Sequence, residues 1–500
     1  MKEKIDSLNA LSADIASLNG ISALLNWDQL VNMPPGGVED RSQQAALIGG
    51  MLHDRITSPK LGELISDLEN EIGDLNADNE NARLVRKAKW TFDQFVKIPK
   101  EKVMEFMIVT TQANEVWVKA RQNNDFASFQ PVLQRIVEMR RELAEYFKPY
   151  DHVYDPLLDM YEPGMKTADV KQIFDDLRPK QVELIKAIRS AKQVENSFLK
   201  QDYDKSLQDK FGRHVITRFG YDWNRGRLDT TPHPFTIGFG LGDVRITTRY
   251  PEADGVSALF STMHESGHAM YSQGCDPKFS RTFLQEASSL AFHESQSRMW
   301  ENLIGRSKEF WTFFYPTFQM LFSEHLGNVD LETFYKGINR VEPSLVRVEA
   351  DEATYNLHIM LRLEIEIGLM EKSIEAKDLP EIWNSKMQEY LGVTPPNDSL
   401  GVLQDVHWSG GMIGYFSTYA LGNLLSAQLW EKMLQAHPNI PDEIAQGKFS
   451  TILAWLRENV HQYGARYDPQ ELIIKITGSR INAEPYLRYL NKKYREIYSL

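Results

Sequence analysis

The sequence predicts a mainly α-helical fold with one small β-hairpin or short sheet. Three observations lead there. Apolar residues recur every three or four positions through most of the 500 residues, as in Leu133, Ile136, Val137, Met139, Leu143 and Phe147, which is the period of a helix face. Proline and glycine punctuate this pattern at short intervals. One segment departs from it, with two β-branched runs either side of a glycine-rich turn.

The punctuation reads as turns between helices: Met33-Pro34-Pro35-Gly36-Gly37, Ile98-Pro99, Tyr161-Glu162-Pro163-Gly164 and Thr394-Pro395-Pro396-Asn397. No Ser/Gly-rich linker, long charge block or fixed-period repeat divides the chain, so residues 1–500 are expected to form a single domain. Phe235-Thr236-Ile237-Gly238-Phe239 and Val244-Arg245-Ile246-Thr247-Thr248 flank Gly240-Leu241-Gly242-Asp243 and predict a β-hairpin. Its glycines do not make a phosphate loop, because no Gly-Lys-Ser/Thr ending and no helix in the right register follow. An edge strand at this position suits alignment of an extended peptide through main-chain hydrogen bonds.

A composition of 42% hydrophobic and 25% charged residues describes a globular chain with a large core rather than a disordered one. The net charge of −13 argues against nucleic acid as a partner, since phosphate binding needs clustered Lys and Arg. Met1 to Ala10 lacks the apolar core of a signal peptide, and the apolar stretch from Gly411 to Leu425 is interrupted and too short for a bilayer, so no membrane segment is expected. The single cysteine, Cys275, reads as a packing residue and fits a reducing cytoplasm.

The chemistry is concentrated in His264-Glu265-Ser266-Gly267-His268. Helix positions four apart differ by about 40° around the axis, so His264 and His268 share a face and can share one ion. Glu265 is offset from them, placed to act on water as a general base without ligating. Gly267 weakens the helix by about 1 kcal/mol relative to alanine but permits close packing near the metal. A catalytic zinc needs a third protein ligand, and a second helix predicted over Leu284 to Trp300 offers two: Glu294 and its neighbour His293, which points about 100° away.

Six motifs stand along the chain: His233-Pro234-Phe235, Asp243-Val244-Arg245-Ile246-Thr247, the HExxH at 264–268, His293-Glu294-Ser295-Gln296, Val346-Arg347-Val348-Glu349-Ala350-Asp351, and Gly401-Val402-Leu403-Gln404-Asp405-Val406-His407-Trp408. Together, and in this order, they resemble the M32 family of metallocarboxypeptidases, the carboxypeptidase Taq type. The resemblance implies a fold similar to neurolysin and angiotensin-converting enzyme, with two helical halves flanking one deep groove, and a homodimer. It implies a zinc enzyme that removes single C-terminal residues from peptides with broad specificity, and it favours Glu294 over His293 as the third ligand. An oligopeptidase or dipeptidyl carboxypeptidase of the same mechanism is the alternative. Cobalt or manganese would suit the same donors.

Roles for the other residues follow from chemical need. A substrate α-carboxylate calls for a guanidinium, and Arg347 is the first candidate, with Arg245 second. The oxyanion calls for donors beside the metal: His407 and Tyr415, eight residues apart, are the expected pair, with Tyr419 as the alternate tyrosine on the substrate side. His233, in an extended loop before a proline, is a candidate to line the substrate site. Gln404 and Asp405 are read as braces for these groups. Thermolysin-like enzymes carry an acid four residues after the ligand glutamate. Here that position is Arg298, so an acid that orients a ligand histidine must come from elsewhere.

Overall fold

The structure, a computed structural model, describes residues 1–251 and 253–500. It is mainly α-helical, with one small three-stranded sheet. The chain packs into two compact units, each assembled from three separated stretches. The first comprises Met1–Val96, Asn196–Ile338 and Leu429–Gly478; the second comprises Lys97–Glu195, Asn339–Gln428 and Ser479–Leu500.

The first unit opens with a long helix, Lys2–Val31, followed by Val38–Ile56 after the Pro34–Gly37 turn. By length and apolar composition the first of these is a candidate to cross a membrane. Here its Ile5, Leu8 and Ile15 are buried in one cluster with Leu61, Ile65, Leu68, Leu84 and Val85. The sheet has the order β1 (Leu228–Thr230), β3 (Asp243–Thr248), β2 (Thr236–Gly240). The expected hairpin is β2 and β3, antiparallel, with Thr236 opposite Ile246 and Ile237 opposite Arg245, and an irregularity at Gly238–Gly240. β1 was not foreseen: three residues are too few to show an alternation, and it pairs in parallel with β3 through Leu228 and Ile246. β2 therefore lies at the sheet edge.

β3 leads into the motif helix, Ser257–Gly274, whose start is held by Asp254 Oδ1 accepting from the backbone N–H groups of Val256 and Ser257. The next helix is shorter than the sequence suggested and runs Leu290–Arg298 rather than from Leu284. Two serines account for the difference. Ser289 accepts the Phe292 N–H as an N-cap, and Ser288 donates to Tyr467 O, so neither residue continues a helix. The helix then widens into a π-turn over Met299–Ile304.

In the second unit a helix over Phe126–Glu145 buries Leu133, Ile136, Val137 and Met139, as their spacing implied. At its centre lies Tyr355–Glu371, buried on nearly every side, which matches its almost unbroken apolar sequence. Three polar residues at four-residue intervals, His358, Arg362 and Glu366, line one face of it and are themselves fully buried.

Candidate metal centre and its surroundings

In the first unit His264 and His268 project from one side of the motif helix with ring centroids 4.9 Å apart. Glu294 Oε2 lies 3.7 Å from His264 Nε2 and 3.6 Å from His268 Nε2. One ligand atom from each of the three falls within 4.8 Å of the others. Donors held about 2.0–2.2 Å from a shared ion at tetrahedral to trigonal angles stand about 3.4–3.7 Å apart, so the three residues fit a divalent metal. Gly267 makes the arrangement possible. A Cβ on it would lie 2.7 Å from both Gln296 O and Ser297 Cα, so the two ligand-bearing helices touch backbone to backbone at this point.

The outer nitrogens of both imidazoles are engaged. His264 Nδ1 is 2.8 Å from Glu301 Oε2, and His268 Nδ1 is 2.8 Å from His293 Nδ1. With each Nε2 turned to the metal position, Nδ1 carries the proton, and Glu301 and His293 accept it. His293, the rival ligand in the sequence, thus orients a ligand instead. Glu301 is the acid that Arg298 displaced from the expected place. Arg298 bonds Glu294 Oε1 at 2.6 Å and Glu301 Oε2 at 3.3 Å and offsets the two carboxylates.

Burial acts on the three histidines, Glu265 and Glu301. It holds His293 at about 4. It lowers His268 strongly, with the neighbouring imidazoles adding to the effect. It opposes a charge on His264 too, yet the Glu294 and Glu301 carboxylates keep that residue above its ordinary value. For Glu301 the push is upward but is overcome by Arg298 and His264, which hold it at about 2. Glu265 is raised, chiefly by desolvation. Thr236 on β2 donates its Oγ1–H toward Glu265 Oε2 at 2.6 Å and also lies 2.9 Å from Glu265 O, so the edge strand holds the proposed base.

Two other candidates in this unit sit differently. The guanidinium of Arg245 makes two bonds to Asp243, at 2.9 and 2.7 Å, and is stacked between Trp27 at 4.5 Å and Phe239 at 4.6 Å. His233 is exposed, and its carbonyl accepts from Thr231 Oγ1.

The remaining candidates form a cluster within the second unit. Arg347 Nε and Nη2 bond Asp405 Oδ1 at 3.1 and 2.8 Å, and Nη1 bonds Tyr355 Oη at 2.8 Å. Arg362, fully buried, takes the other carboxylate oxygen at 2.8 and 2.5 Å. Despite burial, the two arginines hold Asp405 well below the carboxylate range. Two guanidinium groups against one carboxylate leave a surplus positive charge. Gln404 Oε1 accepts from Arg347 N and Arg362 Nη2, the bracing read from the sequence. His407 Nε2 is 3.3 Å from Tyr419 Oη, while the Tyr415 ring stands 5.4 Å from the imidazole and packs edge-on to Tyr161. Burial holds His407 at about 4, so its ring is neutral at neutral pH.

Comparison with known proteins decides the family. Residues 7–494 match the model for the carboxypeptidase Taq (M32) metallopeptidases. The chain belongs to the M32 metallopeptidase family. Thermostable carboxypeptidase 1 of Thermus thermophilus is 40% identical over 495 residues, covering 97% of each chain. Carboxypeptidase 1 of Bacillus subtilis is 39% identical, covering 96% of this chain and 95% of its own. The crystal structure of the M32 carboxypeptidase from Deinococcus radiodurans R1 superposes over the whole of both chains with a TM-score of 0.96 at 39% identity. As an M32 carboxypeptidase the chain is a metal-dependent peptide hydrolase.

Spacing alone did not reveal Thr236, His293 as an orienting group, Glu301, Tyr355 or Arg362. A signal existed for two of them. Glu294, Arg298 and Glu301 stand at i, i+4 and i+7, one helical stripe, and Arg362 interrupts an apolar run at a helical interval from Glu366.

Proposed function

We propose that this M32 carboxypeptidase uses zinc to remove single C-terminal residues from peptides with broad side-chain tolerance. The observation that carries the reading is the approach of His264, His268 and Glu294 ligand atoms within 4.8 Å, with Glu265 on the same helix held by Thr236. Two imidazoles and one carboxylate are donors suited to zinc, and cobalt or manganese would serve as substitutes. A bound ion supplies Lewis-acid charge to the scissile carbonyl.

Glu265 takes the proton of the attacking water and returns it to the leaving amine. Tyr419 and His407 donate to the oxyanion. Their mutual hydrogen bond favours Tyr419 over Tyr415 for that part, with Tyr415 packed beside the imidazole. Arg347 binds the substrate α-carboxylate, drawing on the charge that Asp405 leaves uncompensated between two guanidiniums. Arg245, spent on Asp243, supports the strand, and exposed His233 lies at the substrate's approach. The family resemblance supports a homodimer. The lone Cys275, its thiol pushed by burial up to about 12, suits a reducing cytoplasm.

The test is mass spectrometry of a peptide digest by the zinc-loaded protein. Stepwise loss of one C-terminal residue is expected, abolished by Glu265→Gln and by a chelator, with Arg347→Ala raising KM for free-carboxylate substrates. Internal cleavage or release of dipeptides instead assigns the chain an oligopeptidase or dipeptidyl carboxypeptidase activity.

A further inference from the structure

We infer that Glu366 is a positioning residue for the reaction: its carboxylate grips both ends of the segment from His407 to Tyr415 and thereby sets where the imidazole and the nearby phenols stand. The inference rests on the reading above that His407, at one end of this segment, donates to the oxyanion together with Tyr419, to which it is hydrogen-bonded. Glu366 belongs to none of the recognised motifs.

Its side chain is fully buried on the helix Tyr355–Glu371. Oε1 accepts from Trp408 Nε1 at 2.8 Å, and Trp408 directly follows His407. Oε2 accepts from the Gly414 N–H at 3.0 Å, and Gly414 directly precedes Tyr415. A third donor, Tyr154 Oη at 2.6 Å, reaches the same oxygen. Between these anchors the chain forms no helix or strand, only turns such as Met412 N to His407 O at 2.9 Å. The position of His407 and Tyr415 is therefore set by what holds the ends.

Gly414 shows how close the fit is. Its φ is +101°, and a Cβ there would lie 2.4 Å from Leu157 O, so the backbone passes against that of Leu157 and Leu158 with its N–H turned to Glu366. Arg140 fixes the middle of the segment from another side, with Nε bonded to Gly411 O at 2.6 Å.

The residue type matters. Three donors converge on one group, and in its ionised form, which prevails above pH about 7, the carboxylate is acceptor-only, with lone pairs for all of them. An amide of the same shape keeps Tyr154 and Gly414 on its oxygen but turns its own N–H₂ against the Trp408 indole N–H. An apolar side chain leaves three buried donors unpaired. A core position with no link to chemistry would be served as well by apolar packing, since a buried charge is weak evidence of stabilisation. Oxyanion donors, in contrast, must hold their geometry to within about half an ångström.

The experiment uses the full-length, metal-loaded protein, with rates normalised to metal content and folded fraction, on an N-blocked dipeptide with a free C-terminus. Glu366→Gln is expected to lower kcat by about 30-fold with KM changed less than about twofold, within the ~100-fold cost of a 1 Å misplacement. Trp408→Phe removes the donor that clashes with the amide. The double variant Glu366→Gln/Trp408→Phe is therefore expected to recover part of the lost kcat relative to Glu366→Gln alone. Wild-type kcat in Glu366→Gln, or a double variant whose loss is the product of the two single losses, overturns the inference.

Should Glu366→Gln fail to fold, Trp408→Phe and Tyr154→Phe each remove one strut. Both are expected to lower kcat at constant KM, and unchanged kcat in both overturns it equally. His407→Gln separates the two levels of the argument. Wild-type kcat in that variant removes the oxyanion reading and the inference with it. A large loss in His407→Gln beside an unaffected Glu366→Gln removes only the positioning role.

Discussion

His264 Nδ1 lies 2.8 Å from Glu301 Oε2, so one metal-facing imidazole is backed by a carboxylate, while His268 is backed by the imidazole of His293. A carboxylate behind a ligand histidine fixes its tautomer and raises its basicity. Glu301→Gln keeps an acceptor but removes the charge. We expect zinc affinity to fall about 10- to 100-fold, measured by chelator competition on the metal-free protein. An unchanged dissociation constant would show that Glu301 serves only its ion pairs with Arg298, at 3.3 Å, and with Arg306, whose Nη2 lies 3.7 Å from Oε1.

At Gly267 two ligand-bearing helices meet without side-chain clearance. Gly267→Ala gains about 1 kcal/mol of helix propensity but forces a backbone contact, and overpacking of this kind costs about 1–3 kcal/mol. The net expectation is a less stable metal-free protein with weaker zinc binding, because separating the helices moves Glu294 away from the two histidines. Urea unfolding and the chelator titration read the two effects separately. A stabilised variant with wild-type zinc affinity would contradict the packing account.

These two residues also show what the sequence could and could not reveal. The histidine pair and Gly267 were legible because the helix period fixes their relative placement within five residues. Helical spacing and punctuation likewise carried the fold class, and β-branched runs carried the hairpin. Glu294 required the family resemblance, since spacing left His293 equally open. Glu301 was missed because the expected acid position held Arg298, and the acid came three residues later on a widened turn. Thr236 was hidden for a different reason: it reaches Glu265 across 29 residues, from a strand to a helix, and no local period encodes such a pairing. Arg245 was legible in principle as an ion pair, because Asp243 and Arg245 are two apart on one strand and so share a face.

Glu366 should make stability depend on pH. Burial pushes its carboxyl up to about 7 from an ordinary 4.5, against the lowering by Tyr154, Gly414, Trp408 and Arg362; Arg140 and Tyr161 also interact with it. A raised folded value means that the folded state holds the proton more tightly. The contribution is then fully present below pH 4.5 and is lost as pH rises through about 7. The shift of 7 − 4.5 = 2.5 corresponds to about 3 kcal/mol at 1.36 kcal/mol per unit. Glu366→Gln cannot titrate. The stability difference, wild type minus variant, should fall by about 3 kcal/mol between pH 4.5 and pH 8 in urea unfolding. A difference that stays flat across that range would place the folded value near 4.5.

Thr236 offers the sharpest test of how the edge strand serves the chemistry. Its hydroxyl is 2.6 Å from Glu265 Oε2 and 2.9 Å from Glu265 O, so the single hydroxyl proton goes to the nearer carboxylate oxygen and ties the side chain of the proposed base to β2. Thr236→Val keeps the shape and the β propensity but removes the donor. Glu265 then retains its place in the helix and loses the partner that selects its rotamer. General acid–base contributions run to about 10²–10⁴-fold, and loss of orientation without loss of the group should cost part of that, about 10- to 100-fold in kcat. Zinc content and KM should stay near wild type, because no ligand atom and no carboxylate-binding group is touched. Thr236→Ser restores the hydroxyl and should recover most of kcat. If Thr236→Val and Thr236→Ser lose the same activity, the methyl packing of Thr236 is what matters, and the hydroxyl has no part in holding the base.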